Sequence, residues 1–276
     1  MSTVRPHGSV AVVGHVEWVT HALGALPARG HIADLREPIE EPAGGGGVAA
    51  CAAARLGAAV TLFTALGDDS AADRSGALLG ARGVEVIAAR RRGPQTPVLS
   101  ITEADGERSI MVVGYRLQPR AADPMPWDRL AQVGATYYAG EDPGALAEAR
   151  RSPALVVTAR RLDDLRAAGV RADVIVASAN DPAEDPSGLP GALAPRAIVL
   201  TDGAKGGEIL RPGGTRRAYP ASPPPGPVVC SYGCGDSFAA GMTVGLARGF
   251  SIDDAVALGA LAGARCATWR GGIGPG

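Results

Sequence analysis

The sequence predicts an α/β protein with a mostly parallel central sheet and a small additional β-sheet, the lid. Short apolar runs alternate with helical segments along most of the 276 residues, which is typical of a parallel sheet covered by helices on both faces. Two polar segments near residues 15–43 and 96–117 interrupt this pattern, and their partial alternation indicates a sheet with one open face. Because no internal repeat or long linker divides the chain, we expect one folding unit over residues 1–276.

The first half of the chain supplies the lid and part of the central sheet. The glycines at residues 44–47 are expected to break the chain before an Ala-rich helix that Gly57 ends. Asp105-Gly106 lies between two strand-like runs and predicts a hairpin. Strands are predicted at residues 9–13, 32–41, 60–65, 84–88, 98–102 and 109–113, and helices at residues 48–56 and from the turn at 67–69 to Gly83.

The second half follows a regular strand–helix pattern. Ser251 and Asp254 resemble a capping box, which predicts the start of the last helix. Strands are predicted at residues 136–139, 155–158, 174–177 and 198–200, and helices from Pro143, from Leu162, from Ser237 to about Arg248, and from Ser251 to about Trp269.

The composition excludes several classes of protein. The formal net charge of −1 gives no electrostatic footprint for nucleic acid. No apolar run approaches the roughly 20 residues needed to span a membrane, and residues 1–8 contain no apolar signal segment. The four cysteines have neither disulfide nor zinc-site spacing. We therefore expect a reduced, cytoplasmic enzyme that binds small molecules.

Residues 231–238 (SYGCGDSF) are the strongest candidate for chemistry. They lie where a loop enters a helix, and the free amides and positive dipole end of a helix N-terminus form an anion site. Small residues at 233–235 allow a phosphate to approach the backbone. Asp236 is a candidate base, but a carboxylate that only caps the helix is an equally good interpretation of this spacing.

Four motifs, in order along the chain, resemble those of the ribokinase-like (PfkB) carbohydrate kinases. They are residues 44–57 (GGGGVAACAAARLG), 63–69 (FTALGDD), 201–206 (TDGAKG) and 233–241 (GCGDSFAAG). The resemblance covers nearly the whole chain. It implies a three-layer α/β/α domain with a discontinuous β-lid, and transfer of the ATP γ-phosphoryl group to a hydroxymethyl group of a sugar or sugar-like acceptor.

The resemblance also implies roles for individual residues. Asp236 would take the proton of the acceptor hydroxyl, while the backbone at Gly233, Cys234 and Gly235 would hold the transferring phosphoryl group. The residues implied to line ATP are Thr201, Gly203, Gly206, Ala260 and Ala264.

On the acceptor side, the resemblance implies contacts from the N-terminal glycines and from acidic residues. The implied residues are Gly44, Gly45, Gly46, Glu17 and Glu141, although Glu141 fits a solvated loop carboxylate equally well. Asp181 or Glu184 would hold Mg²⁺ through water, with a solvated acidic loop as the alternative. Similar kinases also suggest a symmetric dimer formed through the lid.

Three positions depart from the family pattern. Val48 replaces an Asn, Val19 replaces the early substrate-binding Asp, and Cys230 replaces an Asp that supports the anion loop and a monovalent cation. These changes leave a nucleoside kinase and a degenerate, non-catalytic nucleotide- or sugar-binding protein as alternatives, and the scarcity of aromatic residues favours a sugar over a nucleoside.

The thiol of Cys230 has a consequence for cation dependence. A neutral thiol is a poor ligand for a hard cation, so we expect the activity to depend little on potassium. Restoring Asp at 230 would either support turnover or bury an unpaired carboxylate.

Overall fold

The computed structural model describes residues 8–275. Residues 1–7, which belong to the segment expected to lack a signal sequence, lie outside that range. The strands are β1 Val10–Gly14, β2 Glu17–Leu23, β3 Arg36–Ala43, β4 Val60–Leu66, β5 Val84–Arg90, β6 Pro97–Thr102, β7 Arg108–Val112, β8 Ala135–Ala139, β9 Leu155–Thr158, β10 Val174–Ser178, β11 Ala197–Thr201, β12 Gly207–Leu210 and β13 Arg216–Tyr219. The helices are α1 Gly44–Arg55, α2 Ser70–Ala81, α3 Pro143–Ala149, α4 Leu162–Ala168, α5 Cys234–Ala247 and α6 Ile252–Cys266.

The larger sheet has nine strands in the order β13-β12-β11-β10-β9-β8-β1-β4-β5. The pairings from β11 through β10, β9, β8, β1 and β4 to β5 are parallel, and only the β11–β12 and β12–β13 pairings are antiparallel. The expected parallel sheet is confirmed. Its central strands are buried on both faces, which explains why they are continuous apolar runs in the sequence.

Helices cover both faces of this sheet. Residues of α1, α2, α5 and α6 pack into one buried apolar cluster. Residues of α3, α4 and the 3₁₀ turn Trp127–Gln132 pack into a second cluster on the other side. The three layers expected from the family resemblance are therefore present. Between β10 and β11 the described connection contains only 3₁₀ turns, at Pro182–Glu184 and Gly191–Leu193.

The smaller sheet is the lid, with four strands in the order β3-β2-β6-β7. The hairpin predicted around Asp105-Gly106 joins β6 to β7 in antiparallel register. β2 was not predicted as a strand, and neither were β12 and β13. The polar character of β3 is confirmed, since its first five residues are exposed.

The predicted chain break at residues 44–47 is wrong, because these glycines form the first turn of α1. The turn packs directly on the backbone that follows β1, where the Gly46 amide donates to the His15 carbonyl over 2.9 Å. A Cβ on Gly46 would lie 2.8 Å from the Gly14 oxygen, so only glycine allows this approach. Packing here outweighs the low helix propensity of glycine. Among the described residues, no helix is long and apolar enough to cross a membrane.

Candidate active site

The candidate residues gather at the carboxyl ends of the parallel strands, where loops after β1, β8, β9, β10 and β11 meet the N-terminus of α5. β1 lies between β8 and β4, so the chain order of neighbouring strands reverses at this point. Open α/β sheets bind ligands at such reversals.

Asp236 lies in the first turn of α5, which begins at Cys234 instead of the predicted Ser237. The N-cap is Gly233, in the left-handed region with φ 77°, and it provides no side-chain cap. The interpretation of Asp236 as the cap is therefore wrong. Its Oδ1 instead accepts a hydrogen bond from the Tyr137 hydroxyl over 2.9 Å. Burial raises the pKa of Asp236, and the hydrogen bond from Tyr137 opposes that rise.

The backbone of residues 233–236 is open to a ligand from one side. A Cβ on Gly235 would meet no atom within 4 Å, whereas one on Gly233 would lie 2.9 Å from Val48 Cγ1. The amides of the first turn of a helix have no intrahelical acceptors, and the helix dipole makes this end positive. This arrangement can bind an anionic group next to the Asp236 carboxylate.

The predicted acceptor residues meet at the other side of Asp236. The Gly45 amide donates to His15 Nε2 over 3.2 Å, and a Cβ built on Gly45 would lie 3.3 Å from Asp236 Oδ1. The Gly44 amide donates to the Tyr232 hydroxyl over 3.3 Å. Burial, followed by the charges of Arg116 and Arg161, lowers the pKa of His15 to about 3, so this ring is neutral.

Two carboxylates near this region are paired with arginines. Glu17 is almost fully buried, and its Oε1 lies 2.6 Å from Arg116 Nε. Burial raises the pKa of Glu17. Glu141 Oε1 lies 2.9 Å from Arg161 Nη2, so this carboxylate is ion-paired rather than merely solvated. The sequence analysis missed both Arg116 and Arg161. The pair Arg160-Arg161 follows a predicted strand directly, and this position could have indicated that Arg161 lies at the site.

The three departures from the family pattern lie together. Val19, Val48 and Cys230 are fully buried in one apolar cluster with Ala43, Val98 and Tyr232. The polar groups that the family pattern places at these positions are thus replaced by a set of packed apolar side chains. This cluster joins the lid to the loop before Asp236.

The predicted nucleotide residues surround the end of β11 and one face of α6. Thr201 ends β11 and its hydroxyl donates to the Ala177 carbonyl over 3.3 Å. Gly206 has φ 90°, and a Cβ there would lie 2.1 Å from the Tyr219 oxygen, so the turn requires glycine. Gly203 is exposed, and Ala260 and Ala264 are partly exposed one helical turn apart on α6.

The predicted metal ligands both contact an arginine. Arg160 Nε lies 2.8 Å from Glu184 Oε1, and Arg160 Nη2 is paired with Asp181 Oδ2. The other Glu184 oxygen accepts from the Ser178 amide over 2.7 Å. Within residues 8–275, no group of three or more His, Cys, Asp or Glu side chains is arranged to hold a metal ion. Carboxylates that already bind a guanidinium do not fit direct coordination of Mg²⁺.

Comparisons with known proteins identify the fold and the family. A segment of 74 residues is 43% identical to acarbose 7(IV)-phosphotransferase of Actinoplanes sp., a match that spans 26% of this chain and 25% of that relative's length. The ribokinase of Arabidopsis thaliana, solved with ribose and ATP, superposes with a TM-score of 0.72 at 19% identity, covering 96% of this chain and 94% of that one. The adenosine kinase of Sinorhizobium meliloti gives a TM-score of 0.76 at 20% identity, covering 96% and 95%. These structural similarities establish the ribokinase-like fold.

The sequence model of the pfkB family carbohydrate kinases matches residues 9–185 and 177–275. Together these two segments include nearly every residue discussed above. The chain therefore belongs to the pfkB family of carbohydrate kinases.

Proposed function

We propose that this protein transfers the γ-phosphoryl group of ATP to a hydroxymethyl group of a sugar or sugar-like acceptor. The observation that carries the proposal is the Asp236 carboxylate, held by Tyr137 beside the open amides of the first turn of α5. Asp236 accepts the proton of the acceptor hydroxyl, and the amides of residues 233–236 stabilise the charge on the transferring phosphoryl group. Positioning and charge neutralisation are what phosphoryl transfer chiefly requires.

ATP is proposed to lie between the turn at Thr201–Gly206 and α6, in contact with Gly203, Ala260 and Ala264. The partial exposure of these residues supports this position. When bound, Mg²⁺ would neutralise charge on the β- and γ-phosphates. Because Asp181 and Glu184 are paired with Arg160, this chain offers the ion no free carboxylate at that point.

The acceptor is proposed to lie against Gly44, Gly45, Gly46, Glu17 and Glu141. A sugar suits this surface better than a nucleoside does. Tyr137 and Tyr232 are the aromatic side chains hydrogen-bonded at this surface, and both are buried with their hydroxyls engaged, so neither ring is open to stack on a base. Paired carboxylates and guanidinium groups, in contrast, provide acceptors and donors for sugar hydroxyls.

The function is tested by a thermal-shift screen of sugars, amino sugars and nucleosides, with and without a non-hydrolysable ATP analogue, followed by a phosphoryl-transfer assay on the hits. A ligand that binds the native state raises its melting temperature by linkage. We expect ATP-dependent phosphorylation of a sugar-like hit. Stabilisation by ATP and sugar without any transfer would instead identify a non-catalytic binding protein.

Replacing Gly45 with Ala should impair the acceptor side alone. The new Cβ would lie 3.2 Å from Ala139 Cβ and 3.3 Å from Asp236 Oδ1. Because small displacements at the reacting atoms are costly, we expect kcat/KM for the acceptor to fall roughly 10- to 100-fold with the affinity for ATP unchanged. Gly80→Ala in α2 is the matched control, since a Cβ there meets no atom within 4 Å. If both variants had the same kinetic constants, the acceptor would not bind against Gly45.

We also propose that the lid pairs with a second lid in a symmetric dimer. Ile39 on β3 and Ile110 and Met111 on β7 are exposed on the two edge strands of the lid, and sheet edges with such side chains favour pairing. Light scattering at high micromolar concentration should give the mass of a dimer. A monomer at that concentration would exclude this arrangement.

A further inference from the structure

Arg160 lies at the edge of the sheet that carries the candidate site residues. It follows β9 in the 3₁₀ turn Ala159–Arg161, at the carboxyl edge of the sheet and next to the end of β10. On one side, the charge of Arg160 opposes the burial-raised pKa of Asp236 more than the charge of Arg108 or Arg161 does. On the other side, Asn180 directly precedes Asp181, the ion-pair partner of Arg160. Asn180 Nδ2 donates to Oδ1 of Asp202, which lies in the nucleotide turn at residues 201–206, over 2.9 Å.

The guanidinium is held from one side and open on the other. Its Nε and Nη2 bind Glu184 and Asp181, and Glu184 is itself fixed by the Ser178 amide. The Glu184 side chain is 12% exposed, whereas that of Arg160 is 51% exposed. Within the described residues, Arg160 Nη1 makes no hydrogen bond. A fixed guanidinium with free donors is suited to bidentate contacts with phosphate oxygens.

The two carboxylates supply two negative charges, and Arg160 neutralises one of them without a metal ion. An acidic pair that coordinated Mg²⁺ directly would need free lone pairs directed at the ion. Here oxygens of both carboxylates contact the Arg160 guanidinium instead. The direction of these carboxylate oxygens therefore fits a positioned guanidinium better than direct coordination of a metal ion.

We propose that Arg160 binds phosphoryl oxygens of the nucleotide and neutralises their charge during transfer, and that Asp181 and Glu184 position its guanidinium instead of coordinating Mg²⁺. This rests on the proposed kinase function. Arg160 would then be a catalytic residue, and the two carboxylates would be positioning residues. Any Mg²⁺ that accompanies the nucleotide would then be held by phosphate oxygens and water.

The first experiment measures binding to the full-length protein by calorimetry, with Arg160→Gln, Arg160→Lys and Arg166→Gln. Arg166 is the matched control, because it forms a similar ion pair with Asp163 on the adjacent α4, with its Nη1 2.6 Å from Asp163 Oδ1. For Arg160→Gln we expect the affinities for a non-hydrolysable ATP analogue and for tripolyphosphate to fall roughly tenfold or more, while the affinity for adenosine is unchanged. Arg160→Lys keeps the charge but loses the planar fork and should give an intermediate loss.

The second experiment measures Mn²⁺ binding to the analogue complex by electron paramagnetic resonance. Asp181→Asn and Glu184→Gln should weaken tripolyphosphate binding but change the Mn²⁺ affinity of the complex by less than about twofold, because neither carboxylate is a metal ligand. A loss of Mn²⁺ affinity in either variant would assign the carboxylate to the metal and overturn the inference.

The outcomes separate the two proposals. If the unmodified protein transfers phosphoryl groups but Arg160→Gln binds the analogue as Arg166→Gln does, only the role of Arg160 is wrong. If the unmodified protein binds neither the analogue nor tripolyphosphate, the kinase function fails and the role of Arg160 fails with it. Because Arg160 is half-exposed, its variants are expected to fold, which melting temperatures would verify.

Discussion

Replacing Asp236 with Asn is expected to lower kcat by at least ~10² while leaving the affinity for ATP nearly unchanged. The amide retains the shape of the side chain and can still accept the hydrogen bond that Tyr137 donates over 2.9 Å. It cannot take the proton of an acceptor hydroxyl. The first-turn amides of α5 do not depend on this side chain, because the N-cap is Gly233. Steady-state kinetics and calorimetry with an ATP analogue would measure the two effects.

The pH dependence provides a second check on the same residue. Asp236 acts as a base only when it is deprotonated, and burial raises its pKa. Activity should therefore fall as the pH drops through this raised pKa, and the acid limb should disappear in Asp236→Asn. Asp254→Asn is the matched control, since Asp254 also lies in the first turn of a helix but is engaged with the Ser251 hydroxyl. Near-normal turnover of Asp236→Asn would remove Asp236 from the mechanism.

The residues that the sequence identified are those in short motifs, where neighbours along the chain are also neighbours in space. Residues 233–236 form one helical turn, so their spacing alone indicated an anion site beside a carboxylate. Tyr137 is 99 positions away from Asp236, and only the order of the strands brings the two together. The partnership of Arg160 with Asp181 and Glu184 likewise depends on the pairing of β9 with β10. No local pattern could have revealed either contact.

The missed strand β2 has a physical explanation. Five of its seven residues are buried and the other two are half-buried, so exposure does not alternate along the strand. Two of the covered residues are polar: Glu17 pairs with Arg116, and His21 Nε2 lies 3.1 Å from Glu41 Oε1. Buried polar side chains with distant partners remove the apolar–polar alternation that identifies a half-buried strand.

Position 230 connects the lid to the anion loop, and its surroundings favour the second expectation for Cys230→Asp, a buried and unpaired carboxylate. The thiol is fully buried in the apolar cluster with Val19 and Val48. It lies 3.2 Å from the Thr102 hydroxyl, and the Tyr232 amide donates to it over 3.4 Å. Neither of these groups carries a charge. An added carboxylate would therefore be buried without a cation, which costs far more than a buried thiol.

We expect Cys230→Asp to lower the free energy of unfolding by about 3–5 kcal/mol at neutral pH, the usual cost of an uncompensated buried charge. Burial would raise the pKa of the new carboxyl above its unfolded value, so the folded state binds the proton more tightly. Stability is then retained below the unfolded pKa and lost as the pH rises toward neutrality. Cys230→Asn, which has the same shape without the charge, should show no such pH dependence. Denaturant unfolding between pH 4 and 8 measures both variants.

The unmodified protein should have nearly equal turnover in potassium, sodium and a bulky organic cation, because a neutral thiol is a poor ligand for a hard cation. If Cys230→Asp were instead stabilised by potassium relative to sodium and gained potassium-dependent turnover, the loop would retain a cation site that lacks only its carboxylate. Strong potassium activation of the unmodified protein would mean that other groups form the site. If potassium activates neither the unmodified protein nor Cys230→Asp, the apolar cluster has replaced the cation as the support of the anion loop. Restoring the cation site would then require Val19, Val48 and Cys230 to be replaced together.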